Sequence, residues 1–264
     1  MSRTAKILIW TGVAILMVAV IYFTFHSQGS VKCKSISITI DSSSAEYPLM
    51  TKADISTLIG ERTLIGKPMN AISTADMETK LRSNPWISKA EVYSYMSGEI
   101  FVNVGLRKPI VRVIPLNNQG YYLDAKGSMM PLSKNYTAKL TVASGYIFTN
   151  FIPSYQVPVF EADSMNTRSM ITQLFILSRY IDSSRFWKDQ IVQIFVNTKD
   201  EIELIPRVGN HTIILGSIVD LEDKFQRLYT FYKKGLNYVG WEKYSILNLT
   251  FKNQVVCTKK TISL

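Results

Sequence analysis

The sequence has two cysteines and two histidines among its 264 residues, and that scarcity excludes most of the chemistry such residues support. Cys33 and Cys257 lie near opposite ends of the folded part, so they cannot form a disulfide scaffold or a cysteine-rich zinc site. Two free buried thiols are expected, with one long-range disulfide left open because sequence does not place the pair in space. His26 follows an apolar segment and His211 falls in a strand pattern. Nucleophilic catalysis needs a base within hydrogen-bond reach of its nucleophile, and no nucleophile-elbow motif accompanies His211. The phosphate-cradling loops G-x-G-x-x-G and G-x-x-x-x-G-K-S/T are missing, and so are metal-ligand spacings. Asp200, Glu201 and Glu203 are not a carboxylate pair for sugar hydrolysis. Glu201 and Glu203 alternate with Ile202 and Leu204, which places the acids on the outward face of a strand. No catalytic, metal or cofactor-binding residue is assigned, and a binding module is expected rather than an enzyme.

Long runs of one charge are also lacking. The formal net charge is +10, yet the basic residues are spread singly, with pairs such as Lys233-Lys234 and Lys259-Lys260 as the longest runs. Without a basic stripe interleaved with aromatics, nucleic acid is not the expected partner. Mild attraction to anionic lipid or wall polymer follows from the charge alone.

One long apolar run is present. Ile7 to Phe25 carries no charge, has Trp10 and Tyr22 near its ends, and has the length expected of a membrane-spanning helix. A cleaved signal peptide has a shorter apolar core and a small-x-small exit, which His26-Ser27-Gln28-Gly29-Ser30 does not provide. A retained anchor is therefore expected over residues 7–25, after a tail of residues 1–6 and before a linker of residues 26–33. Arg3 and Lys6 on one side are nearly balanced by Lys32 and Lys34 on the other. Export of the large domain is preferred because the tail is too short to be the working part.

The rest reads as an α+β protein of two domains. Over residues 34–113 the order is β-α-α-β-β. Ser35–Ile40 alternates with period two, as a half-buried strand does. Thr51 with Asp54, flanked by Met50 and Ile55, predicts a capped helix start, and Ser73 with Asp76, flanked by Ile72 and Met77, repeats the pattern. Asn84-Pro85 ends the second helix, and Ala90–Tyr95 pairs with Ile100–Val104 across Ser97-Gly98. Residues 114–258 form a larger β-rich domain with two amphipathic helices, and residues 259–264 form a tail. In this domain a hairpin turns at Asp124–Gly127, and a loop-rich stretch covers 133–160. A helix runs from about Asn166 to Asp182, and strands follow at 191–196, 201–206 and 211–215. A second helix starts at Asp220 as cap and ends on Lys233-Lys234-Gly235. Strand material at 246–251 and 255–257 closes the domain.

Several passages, taken in order, resemble the FtsQ/DivIB family of bacterial cell-division proteins. Asn84-Pro85-Trp86-Ile87-Ser88-Lys89-Ala90-Glu91-Val92 is similar to the family's NPW-V-x-x-A-x-V passage, and Ile100–Val111 to its L-x-I-x-V-x-E-R-x-P-V-A strand. Tyr122–Gly127 resembles its hydrophobic-D-x-x-G hairpin, and Val157-Pro158-Val159 its LP-hydrophobic step. Ile213–Gly216 leads into a Lys224-bearing helix, and Leu247–Phe251 resembles the closing V-D-L-R-Y strand. Gly105-Leu106 stands where an acid commonly precedes the arginine, and the closing strand lacks the usual arginine.

The resemblance implies a POTRA-type first domain, an FtsQ-type β domain and a non-enzymatic divisome scaffold. The scaffold would be anchored in the cytoplasmic (inner) membrane at the septum, with its N-terminus in the cytoplasm and its bulk outside. The implied partners are FtsB and FtsL, and the implied mode is pairing of the C-terminal strand with a partner strand. Phe251, Lys252, Asn253, Gln254, Val255 and Val256 are the residues it marks, with Phe251 either an aromatic anchor for the partner or part of the core. Two rivals remain, a POTRA-bearing outer-membrane assembly or secretion factor acting as a substrate chaperone and a membrane-anchored cell-wall enzyme. The first needs further POTRA units or a barrel of about ten-residue alternating strands, and two amphipathic helices interrupt that pattern.

Overall fold

A computed structural model describes residues 3–28, 31–41, 46–116, 120–151 and 169–260. The chain divides into two compact units, Met1–Leu106 and Arg107–Leu264.

The first unit begins with helix α1 (Arg3–Gln28), whose described apolar side chains, including Trp10, Ile15, Leu16 and Phe23, are exposed. The membrane span expected over residues 7–25 is corrected here, since no helix among the described residues is long and apolar enough to cross a membrane.

A three-stranded sheet follows, in the order β1 (Ser35–Ile40), β3 (Glu99–Leu106), β2 (Ile87–Ser94), with β1 parallel and β2 antiparallel to the central β3. Its inner face packs on α2 (Lys52–Ile59) and α4 (Thr74–Arg82), with the single turn α3 (Glu61–Leu64) between them. The caps form as their residue types dictate. The Asp54 amide donates to Thr51 Oγ1 at 3.2 Å while the Thr51 amide donates to the Asp54 carboxylate at 2.8 Å. The Asp76 amide donates to Ser73 Oγ at 3.1 Å. Apolar residues spaced three or four apart, Ile55 and Ile59 on α2 and Met77 and Leu81 on α4, meet the inward Ala90, Val92, Val102 and Val104. The outer edge of β2 is occupied. Glu78 accepts from the Val92 amide at 2.9 Å, and Arg82 donates to the Ala90 carbonyl at 3.0 Å.

The second unit is built on a nine-stranded sheet in the order β12-β11-β10-β9-β8-β7-β4-β5-β6. Its strands are β4 (Pro109–Val113), β5 (Tyr121–Asp124), β6 (Met129–Pro131), β7 (Thr141–Gly145), β8 (Ile191–Val196), β9 (Ile202–Pro206), β10 (Thr212–Gly216), β11 (Tyr244–Asn248) and β12 (Val256–Lys259). Helices α5 (Met170–Ser183), α6 (Arg185–Gln190) and α7 (Leu221–Phe231) share its core, where Leu174, Leu177, Trp187, Phe225 and Leu228 meet Ile194, Leu204, Ile213 and Leu247. Period-two burial of Ile202, Leu204 and Pro206 shows why Glu201 and Glu203 are not fully buried. Both carboxylates instead accept from Asn197.

Several expectations shift. The loop-rich stretch 133–160 contains β7, held between β4 and β8 by parallel pairing. The proposed cap residue Asp220 is in the left-handed region at φ 54° and makes no side-chain cap bond. The helix does not stop at Gly235 either. It widens into a π turn over Tyr232–Leu236 and continues through Asn237–Val239 to Gly240. Both cysteines are free thiols, with Cys33 buried and Cys257 only half-buried. The Val157-Pro158-Val159 step and the first residues of the helix expected from Asn166 lie outside the described residues.

Candidate functional site

The nine-stranded sheet has two ends, and they differ in what they can offer another chain. At one end β6 is three residues long and finishes on Pro131, which has no amide hydrogen to donate. At the other end is β12, antiparallel to β11 through Asn248↔Val256, Leu247↔Cys257 and Ile246↔Thr258. A bulge at Ser245 shifts the register before Tyr244↔Lys259.

Two hydrogen bonds fix which backbone groups of β12 face outward. The Lys260 amide donates to the Lys243 carbonyl at 3.1 Å, and the Leu249 amide donates to Ile214 on β10 at 2.9 Å. Backbone direction alternates along an antiparallel strand. Val256, Thr258 and Lys260 therefore point at β11, and Val255, Cys257 and Lys259 point their amide and carbonyl groups away from the sheet. The side chains of Val256, Thr258 and Lys259 are exposed.

The turn leading into this edge is gripped from α7. Arg227 donates through Nη1 to the carbonyls of Phe251 at 2.8 Å and Gln254 at 2.5 Å, and through Nη2 to that of Leu249 at 3.3 Å. Its Nε is paired with Asp223 at 2.9 Å, one helical turn earlier. A planar fork of donors suits converging carbonyls as a lysine ammonium does not. Asn253 adopts φ 59° at the tip, a conformation asparagine tolerates better than most residues. An open groove of about 470 Å³ runs between α7 and the turn, lined in part by Arg227, Phe231, Lys234 and Val255.

Of the residues marked in the sequence, Phe251, Lys252, Asn253 and Gln254 lie in this turn rather than in a strand, and all four are exposed. Phe251 is 47% exposed, so it is not a core residue. Val255 is half-buried against the core, and Val256 opens β12 at 41% exposure.

The arrangement of this second unit coincides with a known sequence family. Residues 108–258, more than half of the chain, match the family described as FtsQ/DivIB, C-terminal related. The chain belongs to the FtsQ/DivIB family. Residues 31–105 match a POTRA-like domain, which corresponds to the three-stranded sheet and its helices. The chain is also similar to a cell division protein FtsQ from Geotalea daltonii, at 22% identity over 219 residues that cover 81% of this chain and 73% of the relative. A role in cell division follows from this membership.

Two charged residues of this FtsQ/DivIB unit act inside it. Lys224 is buried and donates to the carbonyls of Leu215 at 3.0 Å and Ser217 at 2.8 Å, which ties α7 to the end of β10. Burial lowers its pKa from the ordinary lysine value. Asp124 of the hydrophobic-D-x-x-G hairpin is buried, accepts from the amides of Lys126 and Ser128 at 2.9 and 2.8 Å, and pairs with Arg107 at 3.0 Å. His211 is likewise interior. Its Nε2 lies 2.9 Å from the Tyr232 hydroxyl, and its ring stacks on Trp241. Among the described residues no cluster of three or more histidine, cysteine, aspartate or glutamate side chains could hold a metal ion.

Arg227 is the residue that sequence reasoning missed. The i,i+4 spacing of Asp223 and Arg227 was visible, but nothing local announces that the guanidinium reaches carbonyls more than twenty positions away.

Proposed function

We propose that this protein is a non-enzymatic scaffold of the divisome that binds FtsB and FtsL by adding a partner strand to β12. The supporting observation is the outer edge of β12, beside which no further strand pairs among the described residues. Val255, Cys257 and Lys259 offer backbone donors and acceptors there, beside the exposed ring of Phe251 and on a turn held by Arg227. A partner strand satisfies those groups directly, and side-chain contacts with Phe251 and Val256 add selectivity. The exposed apolar surface of α1 supports association with the membrane. In this reading both folded units work outside the cytoplasm at the septum, and the POTRA-like unit is available to other division proteins.

The test is a pull-down of the full chain, in mild detergent, with the purified outer segments of FtsB and FtsL. Lys259→Pro removes an outward amide at an exposed edge position, where proline is tolerated by the sheet itself. Binding by the native chain that falls at least about tenfold in the variant, at an unchanged melting temperature, supports strand addition. Equal binding by the two chains refutes the edge as the site, and no binding by the native chain refutes the partner assignment.

A further inference from the structure

The second unit has a recess that the edge strand does not use. It opens where the first residues of β4, β7 and β8 meet the C-terminal end of α5 and the short helix α6, and its volume is about 270 Å³. Strand β8 is four strands from β12 in the sheet, about 19 Å at the usual strand spacing, so the two places are separate.

The recess is amphipathic. Half-buried Leu140 and Val192 form its apolar floor, directly over the buried Ile181 and Ile191. Lys139, Lys188 and Arg207 line it together with a single carboxylate, Asp182. Lys188 is paired with Asp182 at 2.8 Å, so the positive charge in excess comes from Lys139 and Arg207. Arg207 is positioned rather than loose, since its Nε donates to the Asp189 carbonyl at 2.8 Å and its amide to the Gln190 carbonyl at 2.7 Å. This places an apolar floor beneath a fixed guanidinium and a second cation.

We propose that the recess binds an acidic peptide segment in which a branched or aromatic apolar side chain stands beside a carboxylate. The apolar side chain covers the floor, and the carboxylate is met by Arg207 and Lys139 in charge-assisted hydrogen bonds. A bare inorganic anion uses only half of this surface, because the apolar floor gives it nothing. A neutral apolar ligand leaves both cations unmatched.

The experiment uses the full chain in mild detergent with labelled isoleucine methyl groups, read by NMR. The probes are acetyl-Gly-Leu-Glu-Gly-amide, its Leu-Gln and Ser-Glu counterparts, and inorganic phosphate. The Leu-Glu peptide is expected to shift the Ile181 and Ile191 methyl signals saturably, with the two counterparts at least about tenfold weaker. Arg207→Glu is expected to weaken the Leu-Glu peptide by more than about tenfold, and Lys139→Glu, at an exposed position, decides the point should Arg207→Glu fail to fold. Asp182→Asn is expected to strengthen binding about threefold, because it removes the carboxylate lining the recess that repels the ligand's own. Lys259→Pro leaves this binding unchanged, which separates the recess from the edge strand. Equal affinity for the Gln peptide, equal response to phosphate, or no shift with any probe overturns the proposal.

Discussion

Replacing Arg227 by methionine isolates the clamp behind the candidate edge. Methionine keeps most of the aliphatic stem and its packing, so the loss is that of the guanidinium. The pair with Asp223 contributes little, because the Asp223 side chain is 55% exposed and an exposed i,i+4 pair gains only a few tenths of a kcal/mol. The bonds to Phe251 and Gln254, at 2.8 and 2.5 Å, carry most of the effect, and the 3.3 Å bond to Leu249 carries less. Charged hydrogen bonds are worth about 1.5–3 kcal/mol each, but the two short ones share the single donor Nη1 at an exposed site where water can replace it, so together they fall at or below the lower end and the total is about 2–3 kcal/mol. For a domain of this size that corresponds to a fall of about 4–12 °C in melting temperature. The loss is local as well as global. Hydrogen exchange should accelerate across residues 249–256 before it does in β8 and β9, because those residues lose their tether to α7. Arg227→Lys should recover only part of the stability, since one ammonium cannot span three carbonyls. Unchanged exchange over 249–256 in Arg227→Met, with a melting temperature within about 1 °C of native, would show that the clamp is not what holds the turn.

Three further outcomes are expected. Gly145 lies in β7 at φ 102°, and a Cβ there would sit 2.2 Å from the Val196 carbonyl oxygen, so Gly145→Ala should cost more than about 2 kcal/mol in denaturant unfolding; a cost below 1 kcal/mol would contradict the close approach of β7 to β8. Burial, aided by the charge of Lys260 and opposed by Glu242, holds the His211 pKa below its ordinary value. The native state is then at full strength above the unfolded value of about 6.5 and weakens as pH falls through it toward the lower folded value, where the unfolded chain takes the proton first. His211→Gln should flatten the stability difference between pH 7.5 and pH 5.5, and an unaltered slope would remove His211 as its cause. Thr51→Ala, which deletes the hydroxyl that accepts from the Asp54 amide, should destabilise the POTRA-like unit by about 1 kcal/mol in thermal unfolding; no change would mean the cap contributes nothing.

The POTRA-like unit was legible in sequence because its signals are local. Thr51 and Ser73 each lie within three residues of the amide they cap, and Ser35–Ile40 alternates over six residues without interruption. Where pairing is long-range, legibility drops. Strand β7, Thr-Val-Ala-Ser-Gly, has little apolar alternation and a glycine at its end. It is a strand because β4 and β8 flank it in parallel, and nothing within five residues encodes that. The π turn after α7 likewise overrides a good stop signal. Lys233, Lys234 and Gly235 have the composition of a helix end, yet Tyr232 and Leu236 are both buried, and keeping both on the core face carries the chain on to Gly240.

The membrane expectation failed differently, since charge-free composition marks a segment as apolar without establishing a spanning helix. The edge strand shows the same gap between composition and geometry. The family resemblance marked residues 251–256, but sequence could not show that Arg227 draws Phe251 and Gln254 into a turn and so delays the strand to Val256. That delay sets the outward register. If the strand began at Phe251 without a turn, the parity of outward amides would depend on a straight count from β11. With the turn, it is fixed by the Asn248↔Val256 pair and carried past the Ser245 bulge to Lys259. A side chain on α7 thus holds the turn that leads into β12, although it contributes no atom to the strand. Substitutions at Arg227 and at Lys259 should therefore weaken partner binding by different routes, the first with loss of local order and the second without it.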